Sequence, residues 1–511
     1  MSSLTSRVLF IGLDGGARAV LDPVFERGWM PNLAGFWARA ASGPLRSTEP
    51  MVTPVAWTSF STGCTPLIHG VHDFNYMDTS SRTIHDHHAG TVRVPTLWEI
   101  VGGLGGSVVS LGLPLTYPAP PLRGLCVAGA DAPDRAHAFA QCPGFEAMLR
   151  AEVPAYTHKL VWKRRSRTAE EALREADRCV AIFEAQAEAA FRADGLVDWT
   201  TMMVHFHNLD SLQHRMWPYL DVDETGLREP GMNAAVERCL RGLDAAVGRL
   251  LDLASARDAA VVAASDHGFG PCRGLVNVNG MLRAAGLQRT RVYGTRLRYR
   301  TIRLAERFRR WRALREPGGT APSKARPLDG QMSCDWKRTI AFAPYGQLCG
   351  NVFLNPEAVG GGAAAVERAA VELVEMLADA RDPATGARLF ADVYAATERF
   401  GVDPAEHAMP DVFALSADGY QAQAKWSERH RNTIIRPDHE LPATHWAEGV
   451  VAIGGPGVSP GARLAAELHD LAPTALAMLG HAVPSHMEGR VLLEAFDDAC
   501  PDEAAAPAVF A

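Results

Sequence analysis

Long apolar runs, closely spaced cysteines and a surplus of positive charge are all missing from this chain, and each absence removes a class of protein. The apolar stretch Val8–Leu13 is too short for the core of a secretory leader and is stopped by Asp14. Nothing else approaches the roughly 20 apolar residues that a membrane-spanning helix needs. The nine cysteines (Cys64, Cys126, Cys142, Cys179, Cys239, Cys272, Cys334, Cys349 and Cys500) are scattered without close pairs and odd in number, which reads as reduced thiols and a cytoplasmic location. A formal net charge of -7 gives no global reason to expect nucleic-acid binding, and no nucleic-acid-binding module is legible. What the chain does have is bulk: 511 residues, 47% hydrophobic and 21% charged, enough to bury a large core in one big domain with an insertion.

Four short runs carry the fold. Val8-Leu9-Phe10-Ile11-Gly12-Leu13 ends on Asp14 and a Gly-Gly turn, which places Asp14 at the carboxyl edge of a buried strand. Met202-Met203-Val204 before Asp210, Val261-Val262-Ala263-Ala264-Ser265 before Asp266 and His267, and Val450-Val451-Ala452-Ile453 after His445 have the same apolar character. Near-continuous apolar strands imply an α/β fold with a largely parallel sheet covered on both faces by helices. In such sheets ligands bind beyond the carboxyl ends of the strands, where Asp14, Asp266 and His267 fall.

Asp210 and His214 stand four apart, on one helix face and within reach of a single cation. Alone, such a pair is a weak signal, since surface ion pairs share the spacing. Asp266-His267 is sharper, because a charged pair directly after five small apolar residues is costly to bury unless paired or metal-bound. Thr53-Pro54 reads as an N-cap and a first-turn proline opening a helix. A hydroxyl there faces unpaired backbone N–H groups and the positive end of the helix dipole, a natural seat for a phosphoryl oxygen.

Read in order, Gly12-Leu13-Asp14-Gly15, Met30-Pro31-Asn32-Leu33, the stretch from Thr53 to Phe60 with Thr62-Gly63 and His69-Gly70, the stretch from Asn208 to His214, Ser265-Asp266-His267-Gly268-Phe269, and Asp470 to Leu476 with Gly489-Arg490-Val491-Leu492 span nearly the whole chain. These motifs resemble those of the alkaline phosphatase superfamily and, within it, the type I phosphodiesterase/nucleotide pyrophosphatase family. The resemblance implies an alkaline-phosphatase-like core, two divalent metal ions and a small-molecule phosphoester or pyrophosphate substrate. Carried over by motif, Asp14, Thr53, Asp266 and His267 resemble the ligands of one ion, and Asp210, His214 and His445 those of the second. Thr53 matches the family's nucleophile, which implies a covalent phosphothreonine. Oxygen and nitrogen ligands without cysteine suit Zn2+, with Mn2+ the other candidate. A phosphoryl or sulfuryl transferase or mutase, passing the group to an acceptor other than water, remains open as the alternative. The complete set of seven residues argues against a decayed, non-catalytic scaffold, and Thr53 against a sulfatase, a branch that needs Cys or Ser at that place.

One departure stands out. Many nucleotide pyrophosphatases place an asparagine about twenty residues beyond the nucleophile, where a neutral amide donates to a phosphoryl oxygen. That register reaches Phe74 here, between Asp73 and Asn75, so Asn75 substitutes only if the loop shifts by one residue.

The catalytic core is expected at 1–280 and 405–495, an inserted cap-like region at 281–404 and a frayed tail at 496–511. The insertion holds an amphipathic helix marked by Val366, Ala370, Leu373, Val374 and Leu377. It also holds an arginine-rich segment in which Arg303, Arg307 and Arg310 project from one helix face. Either that face is simply solvated or it contacts an anionic substrate. His69, His72, His85, His87, His88, His205 and His207 default to surface or hydrogen-bonded core roles. Among them His207, close before Asp210, is the strongest candidate for the site.

Overall fold

The computed structural model describes residues 4–132, 137–158, 160–223, 226–290, 326–328, 332, 334–424, 434–435 and 441–496. The arginine-rich segment with Arg303, Arg307 and Arg310, and the tail from residue 497, lie outside the described residues. The chain divides into two compact units, one of Met1–Val71, His88–Pro271 and Asp438–Ala511, the other of His72–His87 and Cys272–Pro437.

The first unit is built on an eight-stranded sheet in the order Ala466–Glu467, Ala41–Arg46, Glu448–Gly454, Ala260–Ala264, Val8–Leu13, Thr201–Phe206, Val108–Leu111 and Gly124–Val127. The last five run parallel to one another. Glu448–Gly454 runs antiparallel to both of its neighbours, so the Val450 run does not extend the parallel set. The reason is that an apolar run reports burial on both faces and carries no information on strand direction.

Alternation explains the double coverage. Leu9, Ile11 and Leu13 join one core cluster with residues of the long helices Ala169–Asp194 and Pro230–Ala256. Val8 and Phe10 point the other way, into a cluster with the helices Thr53–Thr62, Leu97–Gly103 and Leu471–Met478. Ala169–Asp194 starts where Thr168 accepts a hydrogen bond from the Glu171 N–H, and its buried Ala172, Ala176, Cys179, Phe183, Ala187 and Ala190 recur at helical spacing. On the opposite face Phe60 meets Phe10 edge-on, with ring centroids 5.5 Å apart. Such a pair is worth about 0.5–1.5 kcal/mol beyond its buried area. It ties the helix that begins at Thr53 to the strand that ends beside Asp14.

The second unit has an antiparallel sheet in the order Ala341–Phe342, Cys349–Leu354, Val412–Ser416 and Phe390–Ala395. Against it packs the helix Ala363–Ala378, which buries Ala370, Leu373 and Leu377 as its periodicity predicts. This unit's range takes in 281–404 and also 72–87, 272–280 and 405–437, which the sequence reading assigns to the core. Among the described residues no helix is long and apolar enough to cross a membrane, and the eight described cysteines are free thiols.

Candidate metal centre

Strand register alone gathers the chemistry. Leu13 pairs with Phe206, and Gly12 pairs with both His205 and Ala264. Three adjacent parallel strands therefore end at one edge, and the residues that leave them are Asp14, His207 and the Ser265-Asp266-His267 run. The short strand Ala443–Trp446 pairs with Gly268–Pro271 and sets His445 opposite Phe269. Asp210 and His214 lie on the helix Asn208–Leu220 that follows Thr201–Phe206.

Asp14, Asp266 and His267 are wholly buried. His267 Nε2 lies 3.5 Å from Asp14 Oδ1 and 3.3 Å from Asp266 Oδ2. These three atoms have no hydrogen-bond partner among the described residues, although each faces the others. A second set adjoins them. Asp210 Oδ1 is 3.4 Å from His214 Nε2 and 3.1 Å from His445 Nε2, and the two nitrogens are 3.1 Å apart. Two ligand atoms bound about 2.0–2.1 Å from one tetrahedral cation lie about 3.3 Å apart, and both sets show that spacing.

The imidazoles are also turned for ligation. Nδ1 of His267, His214 and His445 lies 3.0, 3.0 and 3.2 Å from the carbonyls of Gly268, Ala443 and Met51. A carbonyl only accepts, so each Nδ1 carries the proton and each Nε2 directs a lone pair at the carboxylates. Lone pairs aimed at anionic oxygens in a buried site are repulsive without a cation between them. The donors present therefore fit divalent metal.

The electrostatics of the buried carboxyls carry the same conflict. Burial and the neighbouring charge of Asp14 push the Asp266 carboxyl well above its ordinary range. Burial also opposes the charge of Asp14, yet the charge and hydrogen bond of His207, with His205 beside it, bring its pKa well below the usual value. For Asp210, burial is outweighed by His214 and His445, which lower the carboxyl to about 2. Burial, reinforced by His445, lowers His267 to about 3.

Supporting contacts fix the ligands in place. The Gly15 N–H donates to Asp266 Oδ1 at 3.1 Å, and Ser47 Oγ donates to the Asp266 carbonyl at 2.6 Å. Gly15 sits at φ +73°, where a side chain is strained, and an added Cβ would also meet Phe269 at 2.9 Å. Phe269 packs on His214, His267 and His445 and forms an apolar wall. At Gly268 an added Cβ would come within 1.9 Å of the Glu448 carbonyl oxygen. Gly268→Ala must therefore force two strands apart beside His267, and a loss of about 1–3 kcal/mol in thermal or denaturant unfolding is expected.

Thr53 is nearly buried, and Met51, two residues earlier, accepts the His445 hydrogen bond. It does not cap its helix as expected. Val52 is the N-cap and Thr53 the first helical residue, one position further in, so its hydroxyl makes no capping bond. Asn75 belongs to the second unit, where its amide donates to Asp86 at 2.8 Å and the neighbouring Phe74 is exposed.

Two further histidines gather at the site: His207, the strongest candidate among the histidines of the sequence, and His205, which defaults there to a structural role. His205 Nε2 lies 3.2 Å and His207 Nδ1 2.5 Å from Asp14 Oδ2. The signal was present as His-x-His at a strand's end, with His205 the penultimate residue of Thr201–Phe206 and His207 the N-cap of the helix that follows. The neighbour of His205 across the register is Gly12, whose missing side chain leaves room for it.

Comparison with known proteins agrees with this geometry. The family model for type I phosphodiesterase / nucleotide pyrophosphatase matches residues 8–449. No curated protein matches the chain. Among solved structures, phosphonoacetate hydrolase from Sinorhizobium meliloti 1021 in complex with phosphonoformate superposes with a TM-score of 0.58 at 17% identity, covering 93% of this chain and 95% of that one. Human ectonucleotide pyrophosphatase/phosphodiesterase 5 gives 0.51 at 11% identity, over 94% of this chain and 97% of that one. An inactive form of the murine counterpart, in complex with AMP, gives 0.52 at 11% identity, over 94% and 96%. At these identities the likeness speaks for the fold, an alkaline-phosphatase-like α/β core, while the matched family speaks for the chemistry. The chain belongs to the type I phosphodiesterase/nucleotide pyrophosphatase family and is a metal-dependent phosphoric ester hydrolase.

Proposed function

We propose that the chain cleaves phosphoric diesters or pyrophosphates with Thr53 as nucleophile and two divalent cations, Zn2+ by donor type or Mn2+, as cofactors. The observation that carries this reading is the convergence of three buried, unpartnered donor atoms, Asp14 Oδ1, Asp266 Oδ2 and His267 Nε2, beside the Asp210, His214 and His445 set. Asp14, Thr53, Asp266 and His267 would hold one cation, and Asp210, His214 and His445 the other. When bound, the cations supply Lewis-acid charge that favours the deprotonated hydroxyl and the departing oxygen.

The remaining steps belong to the chain. Thr53 begins the fully buried helix Thr53–Thr62, so its Oγ is held against a fixed backbone, at the end of the helix where unpaired N–H groups and the dipole favour negative charge. Attack by Oγ forms the bond to phosphorus as the bond to the leaving alcohol or phosphate breaks, and the leaving oxygen departs with its electron pair. Water then attacks phosphorus, releases Thr53 and leaves a phosphate or phosphomonoester. Phe269 walls off the imidazoles from bulk water, which strengthens each electrostatic contact inside.

The helix Thr53–Thr62 contains no basic residue to neutralise the second charge of a monoester dianion. Diesters or pyrophosphates are therefore expected to turn over faster than simple monoesters. The test is a panel of phosphate monoesters, diesters, phosphonate esters, nucleotide pyrophosphates and sulfate esters on metal-loaded protein. A monoester preference of tenfold or more in kcat/KM would overturn the diester reading. Accumulation of a phosphorylated acceptor in place of hydrolysis product would move the chain to the transferases.

A further inference from the structure

Asp14 offers two oxygens to two different neighbourhoods. Oδ1 faces His267 and Asp266. Oδ2 faces the other way, toward His207 Nδ1 at 2.5 Å and His205 Nε2 at 3.2 Å. We propose that His207 is a positioning residue: its Nδ1–H holds Asp14 Oδ2 so that Oδ1 is presented to the cation site. The proposal rests on the two-cation reading above.

The distances decide between a clamp and a third metal site. Asp14, His205 and His207 form a cluster that by composition alone could hold an ion. Two ligands on one cation stand about 3.3 Å apart, given bonds of about 2.0–2.1 Å. The His207 contact is far shorter than that, at the short extreme of direct hydrogen bonding, where charge on the partners shortens the bond. Charge points the same way. Asp14, Asp210 and Asp266 carry three negative charges when ionised, already exceeded by two dications, so a third in this buried place would stand uncompensated.

The surroundings make His207 the donor. His205 Nδ1 lies 3.1 Å from the Gly112 carbonyl, which only accepts, so that nitrogen carries the His205 proton and Nε2 offers Oδ2 a lone pair. His205 is further fixed by the edge of Trp57, with ring centroids 4.7 Å apart. The proton that steadies Oδ2 then comes from His207. Asp14 leaves the last residue of its strand with nothing but χ1 and χ2 to set its direction, so loss of this bond frees the carboxylate to turn away from Asp266 and His267.

The expected effect is selective. Groups that hydrogen-bond a ligating side chain typically contribute 10–100-fold in metal affinity. In an Asp210→Ala background, where the Asp14 site is the one left intact, Zn2+ titration against a chelating dye should show His207→Ala weakening the remaining ion by roughly 10–100-fold. His207→Asn should recover most of that loss, because its amide nitrogen occupies the place of Nδ1. Circular dichroism should stay at the parent spectrum in both variants, while the metal-free melting temperature should fall in His207→Ala, which leaves the buried Asp14 carboxylate without its donor, and fall less in His207→Asn. If His207→Ala binds Zn2+ as tightly as its parent, or if Asn recovers nothing over Ala, the clamp is wrong. Three equivalents of Zn2+ on the unsubstituted protein, falling to two in either His207 variant, would make His207 a ligand and also overturn it. A wild-type protein that takes up no divalent cation overturns the two-cation reading together with this one, whereas two tightly bound ions unaffected by His207→Ala overturn this one alone.

Discussion

Thr53→Ala is expected to leave a folded protein that binds both cations and turns over its best substrate on the order of 10³-fold more slowly, or worse, as when a covalent nucleophile is removed. The fold should survive for local reasons. Thr53 sits at the first position of a helix whose start is set by Val52 and Pro54, and its hydroxyl makes no capping bond there. Alanine also has the higher helix propensity, so truncation costs the helix nothing. The six other donors, Asp14, Asp266 and His267 with Asp210, His214 and His445, remain, so metal stoichiometry should change little. Thr53→Ser keeps an attacking hydroxyl and should retain part of the rate. The check combines steady-state turnover with mass spectrometry of acid-quenched protein, which should show a phosphoryl adduct on Thr53 in the parent and none in the alanine variant. An alanine variant that keeps most of its rate would end the covalent mechanism.

The parts of this site that were legible beforehand share one physical property: a carboxylate or imidazole placed directly after a run too apolar to sit beside an unpaired charge. Asp14 and Asp266-His267 stood out for that reason, and the parallel register of Val8–Leu13 with Thr201–Phe206 and Ala260–Ala264 explains why such residues meet. Strand direction was not legible, and Glu448–Gly454 runs against its neighbours because burial on two faces shapes composition without choosing a sense. The start of the Thr53 helix came out one residue off, since Thr-Pro fits both N-cap with N1 and N1 with N2. His207 stands out by its place close before Asp210, but His205 is hard to raise above other histidines because its meaning depends on a partner, Asp14, far away in sequence. Only the pairing of Gly12 with His205 brings that partner within reach.

Asp266→Asn should separate stability from function at the same atom. In the parent, Asp266 Oδ1 accepts from the Gly15 N–H, while Oδ2 faces the His267 Nε2 lone pair at 3.3 Å with no hydrogen-bond partner among the described residues. An asparagine keeps an oxygen for Gly15 and turns an N–H toward His267, so a repulsive pair becomes a hydrogen bond. The titration argument has the same sign. Burial and the Asp14 charge hold the folded-state pKa of Asp266 above its unfolded value. Its contribution to metal-free stability is thus fully present below the unfolded carboxyl pKa and is lost as pH rises through the folded one. Asparagine is neutral at every pH and suffers no such loss. The metal-free variant should therefore melt at or above the parent, with the gap widening from acid toward neutral pH. The same change removes an anionic ligand, so affinity for one cation should fall by more than the roughly 10–100-fold that losing a ligand's hydrogen-bond partner costs. Turnover should fall with it, and added Zn2+ should raise the melting temperature of the parent more than that of the variant. Calorimetry with and without Zn2+ reads both halves. A metal-free variant that melts well below the parent would mean that the buried pair is held by something other than the waiting cation, and a variant that still binds two ions at parent affinity would remove Asp266 from the ligand set.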